Sequence, residues 1–180
     1  MTIRDTINLV ETKSQGKLEQ IKLPYATNGL SPVMSADLID LHYGKLYKGY
    51  VDRFNKHEGD RNFNEAGAYL HSIFFAQFKT PGPSRPTGPI LDIINRHHTN
   101  FVDFKKNFKE EAMKIQGSGW CYLSKSGQIK TIKNHAKRTD ITVLVDMWEH
   151  AFQHDYGSKK DKYLDSIWRI IDWEAVNSRL

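Results

Sequence analysis

The sequence predicts an α+β fold in which an N-terminal antiparallel hairpin of long helices packs on a C-terminal mixed domain of helices and a three-stranded antiparallel sheet. Three observations predict it. Apolar residues recur at helical spacing in two neighbouring stretches of the first half. The segment TPGPSRPTGP at residues 80–89 carries four prolines and two glycines in ten residues, so it cannot continue a helix and divides the chain. Beyond it, a helical stretch is followed by short strand-like runs punctuated by glycine and serine.

Taken in order, residues 1–21 read as a polar extension. They contain no apolar signal core, and Asp5 and Glu11 argue against a transit peptide. The hairpin domain is expected over residues 22–87. Its first helix lies in SPVMSADLIDLHYGKLYKGYVDRFNK, where Pro32 and Ser35 offer a start and Leu38, His42, Leu46 and Tyr50 recur every fourth residue along one drifting stripe. The second helix is expected over about Asn64 to Phe78, with Gly67, His71, Phe74, Phe75 and Phe78 on one face. A short polar link, EGDRNF, makes the two helices antiparallel neighbours and lets His42 and His71 face each other.

The C-terminal α/β domain is expected over residues 88–180. It begins with an apolar segment near Ile90 to Asn95. A helix follows in which Phe101, Phe104, Phe108, Ala112 and Ile115 form the buried stripe and Asn100 the cap. WCYLSKSGQIKTI reads as two strands joined at Ser126 and Gly127, TVLVD as a third, and DKYLDSIWRIIDWEAV as a return to helix.

Composition narrows the function classes. The chain has 180 residues, 39% of them hydrophobic, which suits one large or two small globular domains. Its formal charge of +5 is scattered over KKNFK, KNHAKR and SKKDK, a pattern of solvated faces rather than a nucleic-acid footprint, although it would draw in a small anion. The lone Cys121 excludes an intramolecular disulfide framework and fits a reducing, cytoplasmic setting. No apolar run is long enough to span a membrane.

The chemistry concentrates in VDMWEHAF, where Asp146 and His150 stand four residues apart beside Trp148 and Glu149. A carboxylate and an imidazole so placed can converge on one cation. With His42 in LHYGKLYKGY and His71 in NEAGAYLHSIFF, the segment resembles the iron/manganese superoxide dismutase family, from about Lys22 to Leu180. PYATNGLSP at 24–32, GSGWCYL at 117–123 and the C-terminal WRIIDWEAV are similar to that family in the same order. A lone histidine on an apolar helix face is more often a hydrogen-bonded core residue than a ligand. Four candidate ligands in matching contexts reverse that expectation.

The resemblance implies a metal-dependent superoxide dismutase with His42, His71, Asp146 and His150 as ligands to one iron or manganese ion per subunit. Three imidazoles and a carboxylate also suit zinc, but only iron or manganese can cycle between oxidation states. Superoxide would then be oxidised to dioxygen in one half-reaction and reduced to hydrogen peroxide in the other. Tyr50 matches the family's gateway tyrosine, which connects the site with bulk water. The family places a donor to metal-bound solvent either on the helix turn before the second ligand, here Gly67, or after the second strand, here His135. Gly67 with His135 favours iron, or tolerance of either metal. Glu149 matches a glutamate that bonds across a two-fold interface to the partner chain's metal-binding histidine, implying a homodimer or a tetramer built from it. Trp120, Trp148 and Phe75 would wall the site, with Tyr69 and Tyr122 where tryptophans are usual.

Two departures stand out. Leu46 occupies the place of a funnel histidine, and Gln153 that of the tyrosine that pairs with it across the dimer; loss of both avoids an orphaned polar group. They keep open a second reading, a dismutase-fold protein with weak or lost activity serving a structural or metal-binding role. Metal content and turnover separate the two. A non-haem iron oxygenase would need a different substrate pocket, and a nucleic-acid-binding module would show steep salt dependence. His57, His97, His98 and His154 lack a motif and read as surface or local structural residues.

Overall fold

The computed structural model describes residues 16–180. The first long helix has three parts. Helix α1 runs Ala36–Leu41, a wider π-helical stretch covers His42–Tyr47, and α2 continues over Lys48–Asn55. Ser35 caps the start by accepting the Leu38 amide, an interaction worth about 1 kcal/mol. The π-helical turns hold more residues than α-helical ones, so the four-residue stripe expected from the sequence breaks. Leu46 is only half-buried, and Tyr47 takes its place in the core.

The second hairpin helix, α3, spans Arg61–Ala76 rather than Asn64 to Phe78, because the Asp60 carboxylate accepts the Phe63 amide and starts the helix one turn earlier. Its end is set by a different contact. Phe78 leaves the helix to form an isolated bridge with Ile171. The two helices are antiparallel: His42 meets His71 at one level, and Arg53 bonds Asn64 further along.

The end of the predicted extension is pinned to this hairpin. The Asn55 side chain accepts the Leu18 amide and donates to its carbonyl, both at 2.8 Å. Tyr43 donates its hydroxyl proton to Ile21 O, and Leu18 and Ile21 are buried. The rest of that extension, residues 1–15, lies outside the described residues.

After the proline-rich loop, the apolar segment near Ile90 is a full helix, α4, over Pro89–His98, with proline at its first position. Helix α5 covers Phe101–Met113 under the Asn100 cap. Strands β1 (Gly119–Ser124), β2 (Ile129–Lys133) and β3 (Ile141–Asp146) form an antiparallel sheet in the order β2-β1-β3. The central strand pairs Trp120 with Ile132 on one side and with Asp146 on the other. Both β1 and β3 are buried along their whole length. Gly127, at φ +81°, makes the turn between β1 and β2.

The C-terminal stretch expected as one helix is broken into pieces. After a separate short helix, α6 (Gln153–Tyr156), helix α7 (Lys160–Ser166) leads into a tight turn over Ile167–Arg169, and α8 resumes at Trp173–Asn177. The cause lies in the backbone of residues 170–172. Ile170 O accepts the Lys79 amide and the Asp172 amide donates to Gln77 O, so these groups serve a contact with the end of α3 instead of a helix.

Candidate metal centre

Four side chains from three separate stretches of the chain converge where the hairpin meets the sheet. His42 opens the π-helical stretch, His71 lies within α3, Asp146 ends β3, and His150 sits in the tight turn Glu149–Ala151 that follows. Their donor atoms all lie within 4.8 Å of one another. Each imidazole directs Nε2 at Oδ2 of Asp146, at 3.1 Å from His42, 3.7 Å from His71 and 3.2 Å from His150. The other carboxylate oxygen accepts the Trp148 amide at 2.9 Å, which fixes the oxygen that faces inward.

The proton positions decide what this cluster can hold. His71 Nδ1 is 2.7 Å from Gly67 O, and a carbonyl oxygen only accepts, so Nδ1 carries the proton and Nε2 presents a bare lone pair. That lone pair faces a carboxylate oxygen inside a fully buried site. Burial pushes the His71 imidazole well below its ordinary pKa and His42 beside it adds to the drop, so His71 does not relieve the clash by taking a second proton. His42 is likewise pushed down by burial, against the pull of Asp146. Burial opposes ionisation of Asp146, but the His150 and His42 imidazoles outweigh it and hold the carboxyl well below the usual range. Two acceptors opposed in low dielectric are costly unless a cation joins them. Imidazoles with one carboxylate are a donor set for iron, manganese or zinc.

His135 lies against this cluster. Trp120 donates its indole N–H to His135 Nδ1 at 3.1 Å, and the imidazole stacks on Trp148 at 4.5 Å and 15°. With Nδ1 accepting, Nε2 bears the proton; that atom is buried and finds no hydrogen-bond partner among the described residues. Burial lowers the His135 pKa to about 4 and keeps the ring neutral. The Tyr50 ring stands 4.9 Å from His135 and 5.3 Å from His71. Its phenol is pushed up to about 12 by burial and by the Asp146 charge. Gly67 explains how both rings fit. A Cβ there would come within 2.9 Å of the Tyr50 ring and 3.2 Å of His135.

Trp120 and Phe75 are fully buried and touch the histidines, with ring centroids 5.0 Å from His71 and 4.9 Å from His42 respectively. Trp148 lies 5.5 Å from His150. Tyr69 and Tyr122 turn their hydroxyls to the loop before β3, donating to Arg138 O and Asp140 Oδ1. Glu149 is exposed in the single chain, and Gln153 beyond it is exposed as well. Of the remaining histidines, His98 sits 2.8 Å from Gly127 O, a local structural contact.

Sequence reasoning missed three residues here. Tyr47 stacks on His71 at 5.7 Å, and Phe63 packs on His135 at 4.7 Å. Arg53 lies 4.8 Å over the Tyr50 ring, held by Asn64. Tyr47 was hidden by the π-helical stretch. Phe63 carried a readable signal, since it stands one turn before Gly67 on the same helix.

The fold and the cluster together define a chain in which a helical hairpin and a sheet domain share four side chains that could hold one metal ion. Family models described as iron/manganese superoxide dismutases match it twice, the alpha-hairpin domain over residues 17–62 and the C-terminal domain over residues 86–179. The chain belongs to the iron/manganese superoxide dismutase family. It is 35% identical to a superoxide dismutase [Fe] of Bacteroides fragilis, across 90% of this chain and 98% of that protein. It is 32% identical to a superoxide dismutase [Fe] of Pyrobaculum aerophilum, over 88% of this chain and 89% of the relative. A superoxide dismutase [Mn/Fe] of Porphyromonas gingivalis is also 32% identical, over 89% and 98%.

Proposed function

We infer that this chain is a superoxide dismutase that holds one iron or manganese ion per subunit through His42, His71, Asp146 and His150. The observation that carries the reading is the opposition of the bare His71 Nε2 to Asp146 Oδ2, with two further imidazoles directed at the same oxygen. When bound, such an ion supplies one-electron chemistry by cycling between its divalent and trivalent states, which converts superoxide to dioxygen and hydrogen peroxide.

The protein's own residues do the rest. Trp120, Phe75 and Tyr47 exclude water from the imidazoles. His135 is the outer-sphere group: Trp120 fixes its tautomer at Nδ1 and leaves the proton on Nε2, which is buried without a hydrogen-bond partner among the described residues. Tyr50 keeps its hydroxyl proton at neutral pH and is the gateway acid between the centre and solvent. Its position beside Arg53 suits an anionic substrate.

The assembly belongs to the same reading. A homodimer would cover Glu149, exposed in one chain, and bring it to His150 of the partner subunit; the side chain of His150 is itself 18% exposed. The cellular site proposed is the cytoplasm, on the strength of the single, free and buried Cys121. Among the described residues no helix is long and apolar enough to cross a membrane.

Elemental analysis paired with superoxide consumption, before and after metal removal and reconstitution with iron or manganese, tests the function. Activity restored by one or both metals is the expected result. Stoichiometric metal without turnover would overturn it in favour of a repurposed fold, with Leu46 and Gln153 as the marks of that change.

A further inference from the structure

The strand β2 ends in a way that puts His135 on the side of the sheet where it is needed. Directly paired residues share a face of the sheet, so Ile132 lies on the face of Trp120, whose indole meets His71. Side chains alternate along a strand. Continued extension would give that face to residue 134 and turn His135 to the opposite one, with Thr131 and Lys133, both exposed. Instead Asn134 adopts φ +53°, in the left-handed region, and the chain turns there. The imidazole thereby reaches the Trp120 indole and the Trp148 ring. The turn is held from behind. The Asn134 amide donates to Ser118 O at 2.9 Å, and the next carbonyl, Gly119 O, accepts the Met147 amide at 2.9 Å. Gly119 cannot take a side chain, since its Cβ would lie 2.7 Å from Ile132 O. One short segment, Ser118–Gly119, thus ties the loop of His135 to the segment of Asp146 and Trp148.

We propose that Asn134 is a positioning residue, whose left-handed conformation sets the imidazole of His135 against the metal centre. The proposal rests on the reading of His135 as the outer-sphere group. Asparagine and glycine tolerate this conformation, whereas a β-branched residue does not. A side chain acting only through its own contacts would behave differently, because glycine would then be as harmful as valine.

The test is the reduction potential of the metal-loaded protein for the wild type, His135→Ala, Asn134→Gly and Asn134→Val, with kcat/KM alongside. Asn134→Ala replaces valine if that variant does not fold. Asn134→Val should move the potential in the direction of His135→Ala and lower kcat/KM by about 10- to 100-fold, the range usual for loss of an outer-shell partner. Asn134→Gly should keep both near wild type. If His135→Ala moves the potential and Asn134→Val does not, or if Asn134→Gly moves it as far as valine, the positioning role is wrong and the outer-sphere reading stands. If His135→Ala itself leaves the potential unchanged, the outer-sphere reading falls and takes this proposal with it.

Discussion

At the scale of single residues, the cluster is built from polar side chains, three of them fully buried, whose burial is costly without a partner. Asp146 is buried and ionised beside imidazoles that burial keeps neutral, and their mutual geometry makes sense around a cation. Asp146→Ala removes the one carboxylate of the cluster formed by the described residues and the anchor for the Trp148 amide, so metal content should fall by about tenfold or more. Elemental analysis of the purified variant measures this. Tyr50→Phe touches no donor atom and should retain the metal while changing turnover or product inhibition, read by rapid superoxide decay. Loss of metal in the phenylalanine variant would place Tyr50 among the supports of the cluster instead of at its gateway.

At the scale of elements, the sequence was legible wherever a regular period ran unbroken. The Phe101 to Met113 helix under Asn100 and the three strands followed from spacing and turn residues. Spacing failed where long-range contacts changed the backbone. The C-terminal helix was unreadable because Gln77 and Lys79, nearly a hundred residues earlier, claim the backbone of Ile170 and Asp172. Burial of Tyr47 was unreadable because nothing local announces the π-helical stretch His42–Tyr47. That stretch also sets the rotation of His42 relative to Tyr50, and it can be tested by deletion. Gly44 is exposed and a Cβ there would meet nothing. Removing it should let the stretch close to ordinary α-helix and rotate the two residues by about 100° relative to each other. The expected result is a protein with its far-UV helical signal intact and little bound metal. Full metal content after the deletion would show that the wide turn is incidental to the site.

At the scale of the whole molecule, two features couple the halves. Arg179, buried near the C-terminus, donates to Ile73 O in α3 and Thr142 O in β3 and lies 3.3 Å from Gln77 Oε1. Arg179→Met keeps much of the volume and strands those carbonyls, so stability should drop by about 3 kcal/mol, seen as a lower urea midpoint at constant m-value.

The second feature is acid sensitivity, since hairpin and sheet meet over imidazoles held neutral. Burial lowers His42 and His71 and brings His135 to about 4. In the unfolded chain a histidine titrates near about 6.5, so below that pH the unfolded state binds protons that the folded state refuses. Stability of the metal-free protein should therefore be flat above neutral pH and decline as pH falls from 6.5 toward 4. The His135 share of that decline can be isolated. His135→Gln keeps a hydrogen-bonding side chain but has no proton to take up, so its Tm should fall less steeply across that window. Parallel curves for variant and wild type would mean that His135 charges as easily folded as unfolded, and that the loop after β2 opens to solvent far more readily than its stacking on Trp148 implies.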